Sequence, residues 1–171
     1  MDLVITQNIT LDGVVEVTKA TGDWFDRAGG GADMSDLEAS LQEMMGEEDA
    51  QIYERKTFEA MRGFWPNQTD DTTGITDHLN QVDKYVISTT MTDPEWQNST
   101  VLDGALIEAV RDLKATAGSV LGVTGSISVC HALIALPILS TSTTCSSTRG
   151  ATAGIALAAI LESPSAVANS S

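Results

Sequence analysis

The 171-residue chain predicts an α/β domain built on a largely parallel sheet, and three observations predict it. Short runs rich in β-branched and aromatic residues alternate with segments whose apolar residues recur at helical spacing. Turn and capping residues sit where each run ends. The length suits one domain with a full core, and nothing in the composition requires a second.

Taken in order, residues 3–10 read as the opening strand, closed by the turn chemistry of Leu11-Asp12-Gly13. A loop follows, with Gly29-Gly30-Gly31 as its most flexible point. Ser35-Asp36-Leu37-Glu38 has the Ser-x-x-Glu form of a capping box. Leu37, Leu41, Met44 and Met45 then share one helical face. The apolar run 50–53 stands directly before Glu54-Arg55-Lys56-Thr57, after which 58–62 reads as helix, so a strand passes into a helix there. A polar stretch leads to a short helix around 75–81, and Lys84-Tyr85-Val86-Ile87-Ser88 is strand by its β-branched and aromatic content. Thr92-Asp93-Pro94 turns the chain. A strand at 100–102 precedes a helix with Leu106, Ile107, Val110 and Leu113 on its apolar side. Residues 120–123 are again strand-like, and Gly125-Ser126 opens the next helix. This alternation implies a sheet covered by helices on both faces.

Charge restricts the partners. Twenty-four Asp and Glu against nine Lys and Arg give a formal net charge of −15. A field of that sign repels nucleic acid and anionic lipid, and no basic patch offsets it. Two readings of the acidity stand: a well-dispersed solvated surface, or adaptation to a high-salt cytoplasm in which screening tames self-repulsion. The first residues, Met1-Asp2-Leu3-Val4, form neither a basic nor a long apolar leader, which predicts a cytoplasmic protein. No apolar run has the 18 or so residues a membrane helix needs. Cys130 and Cys145 lack a metal-binding or disulfide pattern, so buried free thiols are expected. His78 and His131 lack spaced ligand partners and read as surface or helix-packing residues. No metal is predicted.

Ligands of parallel sheets bind beyond the carboxyl ends of the strands, so the chemistry should lie at 10–13, 54–57, 88–90 and 124–126. Thr124-Gly125-Ser126 between strand and helix suits an anion, because glycine lets the backbone approach closely and free N–H groups point outward. Plain turn chemistry is the alternative. Arg55-Lys56-Thr57 adds two cations and a hydroxyl, suited to phosphate. Trp24, Phe25, Phe64 and Trp65 are candidates for core.

The segments Thr10-Leu11-Asp12-Gly13-Val14, Gly22-Asp23-Trp24-Phe25, Arg55-Lys56-Thr57-Phe58-Glu59, Phe64-Trp65-Pro66, Lys84-Tyr85-Val86-Ile87-Ser88, Trp96-Gln97-Asn98-Ser99-Thr100 and Val123-Thr124-Gly125-Ser126 run through about 135 residues. In order and spacing they resemble the riboflavin-biosynthesis reductases and their dihydrofolate-reductase-like relatives. The resemblance implies a three-layer dihydrofolate-reductase-like fold, usually a homodimer, that binds NADPH across the strand ends. It implies Thr124, Gly125 and Ser126 near the pyrophosphate, and Arg55, Lys56, Thr57, Ser88 and Thr89 around the adenosine and its 2′-phosphate. Asp12, Trp24 and Trp65 would line the substrate end, and Asp12 would polarise or protonate the substrate. That substrate would be a small heterocycle or flavin precursor, such as a phosphoribosylamino-uracil. Two departures bear on the cofactor. Glu54 stands where the family usually has Gly, and Thr89 where many members have Arg. Both weaken attraction for a 2′-phosphate, so NADH becomes an alternative. A second reading keeps the fold without catalysis, as a nucleotide-binding or scaffold protein.

The reductase signature ends near Ala135. Residues 136–171 contain 13 Ser or Thr and only Arg149 and Glu162 as charges. The family's closing strand, a Val-Asp-Glu-Tyr run ending in Tyr-Pro, is absent. Pairing the last base of each codon with the first two of the next over Leu139 to Arg149 permits Val-Asp-Glu-Tyr-Asn-Leu-Leu-Val-Tyr-Pro. The tail is therefore read as out of frame, with a genuine Ser/Thr/Ala-rich disordered extension as the alternative. If the tail is out of frame, the chain lacks the closing antiparallel strands and leaves an edge of the sheet exposed.

Overall fold

A computed structural model describes residues 1–9, 35–135, 140–147 and 155–162. The strands are β1 (Asp2–Ile9), β2 (Glu48–Glu54), β3 (Asp83–Ile87), β4 (Ser99–Leu102), β5 (Val120–Val123), β6 (Ser140–Ser147) and β7 (Ile155–Glu162). The helices are α1 (Ser35–Glu47), α2 (Arg55–Phe64), α3 (Ile75–Gln81), α4 (Leu106–Lys114) and α5 (Ile127–Ile134), with a 3-10 turn at Trp65–Asn67. The sheet order is β4-β3-β2-β5-β1-β7-β6. Five strands, β4 to β1 in that order, are mutually parallel, as expected for strands joined through helices.

Alternation along the strands assigns the two faces. Leu3, Ile5, Ala50, Ile52, Leu121 and Val123 point to one side and pack against Val110 and Leu113 of α4 and Val129, Cys130 and Leu133 of α5. The opposite face carries Tyr53 and Val86, covered by Phe58 of α2, Leu79 of α3 and Trp96. Thr6, which alternates with Leu3 and Ile5, reaches the Met44 sulfur of α1 at 3.9 Å on this second side. The molecule is thus a three-layer α/β structure, and each large buried side chain contributes about 1.5–3 kcal/mol through area removed from water.

Ends and faces differ locally from the sequence expectation. Ile107 is 38% and Phe64 56% exposed, so neither belongs to the core. The helical face of α4 is satisfied by Val110 and Leu113, and Phe64 stacks edge-on against Trp65 at the close of α2. Cys130 is a buried free thiol, as expected.

Two tail strands occupy the edge that an out-of-frame tail was expected to leave exposed. β7 runs antiparallel beside β1 from Leu3↔Leu161 to Ile9↔Ile155, and β6 pairs antiparallel with β7. The edge of β1 is covered. Ladder bonds are made by backbone groups that every residue except proline carries, and both prolines of the tail, Pro137 and Pro164, fall outside the two strands.

Candidate functional site

The carboxyl ends of β2 and β5 lie side by side, because the two strands are direct neighbours with Gln51 opposite Gly122. From there the chain departs in opposite directions. α2 folds onto the face of Tyr53 and Val86, whereas α5 folds onto the face of Leu121 and Val123. A crevice between strands whose following helices diverge to opposite faces is where open parallel sheets take their ligands.

Two strand-to-helix junctions border this crevice. At β5, Thr124 is exposed, Gly125 is buried with φ 122, and Ser126 is the N-cap of α5 without a side-chain capping bond. The Gly125-Ser126 peptide is cis. The Ser126 hydroxyl lies 2.8 Å from that of Ser128. At β2, Arg55, Lys56 and Thr57 are the first residues of α2. A Cβ on Gly125 would stand 3.7 Å from Thr57 Cγ2 and 3.8 Å from its Oγ1, so the backbone of one junction faces the side chain of the other. Positive φ also makes any residue but glycine costly at 125.

Electrostatically the junctions are unequal. Glu54 ends β2 and turns its carboxylate onto the start of α2, where Oε1 accepts from Thr57 N at 3.1 Å and from Thr57 Oγ1 at 3.4 Å. Arg55 reaches Glu59 at 3.5 Å, one helical turn on. Lys56 is exposed. The α2 start therefore already holds an anion, whereas the α5 start does not have one among the described residues. This suits a pyrophosphate at Gly125 and Ser126 and does not suit a second phosphate at Thr57.

The remaining sequence-predicted residues fall in three places. Ser88 follows β3, but its buried hydroxyl accepts from Thr90 N at 3.2 Å and Met91 N at 3.0 Å, which commits it to its own turn. Thr89 beside it is exposed. Trp65 stands at the far end of α2, roughly 12 Å of helical rise from Thr57, and packs against the Tyr53–Phe58 cluster rather than joining the crevice. Asp12 and Trp24, with the turn at 10–13 and the glycines at 29–31, lie outside the described residues.

Sequence reasoning missed a partly buried polar chain on the α2/α3 face. Tyr53 donates its hydroxyl to Gln51 Oε1, Gln51 Nε2 donates to Glu48 Oε2 at 2.6 Å, and His78 Nε2 sits 2.7 Å from the same carboxylate oxygen. His78 thus has a carboxylate partner, 30 residues away in sequence, which spacing within α3 does not reveal. Burial, and then the Glu48 charge, push the Tyr53 phenol far above its usual range. Lys84, an expected strand residue, is fully buried. Its Nζ donates to Leu79 O at 2.6 Å and Val82 O at 2.8 Å and lies over the Trp96 ring. Trp96, Gln97 and Asn98 in turn bond Asn80 and Gln81, tying the loop before β4 to the end of α3. That gives the Trp96-Gln97-Asn98 segment a structural task.

Among the described residues no group of three or more His, Cys, Asp or Glu is placed to hold a metal ion. None of their helices is long and apolar enough to cross a membrane. A depression lined by Met1, Asp2, Glu47, Gly118, Ser119 and Val120 lies at the opposite, amino end of the strands. No family model matches the chain, and a search of curated proteins returns no match.

Proposed function

We propose that this chain is a nicotinamide-dependent reductase of dihydrofolate-reductase-like fold that reduces a small heterocyclic or flavin-precursor substrate. The observation that supports it most is the crevice at the β2 and β5 ends, where the glycine junction of α5 faces Thr57 across diverging helices. Backbone N–H groups at Ser126 and the first turn of α5 would hold the pyrophosphate, with the helix dipole favouring its charge. Arg55 and Lys56 would flank the adenosine side. A bound reduced nicotinamide supplies the hydride, and the protein orients it against the substrate. Asp12, through its place in the resembling Leu11-Asp12-Gly13 segment, would polarise or protonate that substrate. The reading carries with it a cytoplasmic setting and a homodimer, with neither nucleic acid nor membrane as partner.

Fluorescence titration of the full chain with NADH and NADPH, followed by cofactor oxidation against a panel of pterins and ribosylamino-pyrimidines, tests the proposal. Saturable binding and turnover on one panel member are expected. Binding without turnover on any member favours the nucleotide-binding or scaffold alternative, and no binding of either dinucleotide sinks the reading.

A further inference from the structure

The outer surface of α5 differs in charge from the rest of the molecule. Residues 104–135 hold Glu108 and Asp112 against Arg111 and Lys114, so the net charge of −15 lies wholly on the remainder of the chain. α5 itself contains no Asp, Glu, Lys or Arg. Its outward side is nonetheless apolar, with Ile134 49% and Ile127 36% exposed. Ile107 of α4, which packs on the same face of the sheet, is a further exposed isoleucine. Large apolar side chains gathered on one uncharged layer mark an association surface. Spacing gives that surface a shape. Ile127, His131 and Ile134 stand at i, i+4 and i+7 in one exposed row, and Ser128, Ala132 and Ala135 repeat the spacing in a second row beside it. A row of large side chains next to a row of small ones is a ridge next to a groove.

Two copies of this helix laid antiparallel about a twofold axis put the ridge of each into the groove of the other, the self-complementarity that an isologous contact requires. Charge selects the same occupant. Over the rest of the surface two copies would bring like charges together, whereas here neither copy contributes net charge. A basic partner would instead be drawn to the acidic remainder. With eight residues α5 is only about 12 Å long. The roughly 800 Å² per partner of a stable dimer therefore calls for the outer side of α4 as well, where Ile107 is exposed. We propose that the outer sides of α5 and α4 form a twofold interface between two copies of this chain, with Ala132 close to the axis. The family resemblance implies a homodimer without saying which surface is used. The interface rests on α4 and α5 alone and is independent of what the crevice binds.

Sedimentation velocity of the full chain across the micromolar to millimolar range is the test. Wild type should move with concentration from the 18.0 kDa of one chain towards twice that mass. Ala132 is exposed, and Glu and Lys are both good helix formers, so Ala132→Glu and Ala132→Lys should fold, as their melting curves will show. Each variant sets like charges across the axis and should weaken self-association at least about tenfold. Mixed in equal amounts, the two should recover a dimer, which no misfolded variant can do. Phe64→Ser, at the exposed aromatic on the opposite face, should leave the dissociation constant unchanged. A wild type that stays monomeric over the whole range overturns the proposal. So does a dimer that survives both Ala132 variants, is not restored when they are mixed, or dissociates in Phe64→Ser. None of these outcomes depends on dinucleotide binding, so the reductase reading stands or falls separately.

Discussion

The two faces of the sheet solve the same burial problem with different chemistry. Under α4 and α5 the contacts are between aliphatic side chains of β1, β2 and β5 and the apolar sides of the helices. Under α2 and α3 the aromatic cluster of Tyr53, Phe58 and Trp96 is interleaved with a buried lysine and the Glu48–Gln51–Tyr53 chain. An aliphatic face tolerates changes of shape and is weakened in proportion to lost volume, whereas a face that buries polar groups depends on every partner being present. The candidate crevice opens where these two faces part.

Truncating the aliphatic face should have the largest effect. Leu133 is fully buried among side chains of β1, β5 and α4, and Leu133→Ala should cost about 2–5 kcal/mol in denaturant unfolding. A loss well under 1 kcal/mol would mean that α5 is not docked as described.

Overfilling the polar face comes next. A Cβ on Gly122 would collide with the Glu48 carboxylate, so Gly122→Ala should cost about 1–3 kcal/mol. Adding Glu48→Ala to that variant should recover part of the loss by removing the clashing group. Strict additivity of the two changes would break the proposed contact.

The third effect is a pH dependence. Burial lowers the Lys84 pKa from 10.5 to about 8, with Asp83 opposing. Below about pH 8 the folded and unfolded chains both carry this proton. Between about 8 and 10.5 the unfolded chain holds more of it, so Lys84 makes stability rise with pH through that window. Relative to Lys84→Met, wild type should therefore gain melting temperature across it. Parallel curves would show that the ammonium is not desolvated beneath Trp96.

The smallest effect belongs to the exposed approach to α3. Asp71 accepts from Thr73 Oγ1 at 2.5 Å, Thr73 N at 2.8 Å and Thr76 N at 2.8 Å. The Thr73 hydroxyl is the main cause that lowers its pKa from 3.8 to about 2. Its folded pKa is depressed, so its contribution is complete above about pH 4 and fades as pH falls towards 2. Asp71→Ala should lower the melting temperature by a fraction of what Leu133→Ala does, and the two proteins, wild type and Asp71→Ala, should converge in acid.

Much of the fold is legible in the chain. Residues 120–123 and 75–81 coincide with β5 and α3, and the strand before Glu54 passes into a helix as the pattern requires. Periodicity reports which side of an element meets the core, and a strand or helix bearing its own apolar side declares itself locally. What escapes is pairing across distance. In the sequence Glu54 is a charge that spoils a phosphate site, yet its position on Thr57 N makes it part of the helix start. Likewise His78 has no partner within its own segment, because Glu48 lies on another element. The tail misleads in the opposite sense, since its strands are held by backbone ladders to which a Ser- and Thr-rich sequence is no obstacle.

The sequence by itself determined the alternation of strands and helices, the strand ends at which Gly125 and Thr57 stand, and the acidic surface charge. These follow from local propensity and composition. Only the tertiary structure decided that β5 inserts between β1 and β2, that α2 and α5 leave to opposite faces, and that Gly125 therefore meets Thr57. Strand order is set by the joint burial of both sheet faces, a property of the whole packed chain rather than of any one segment.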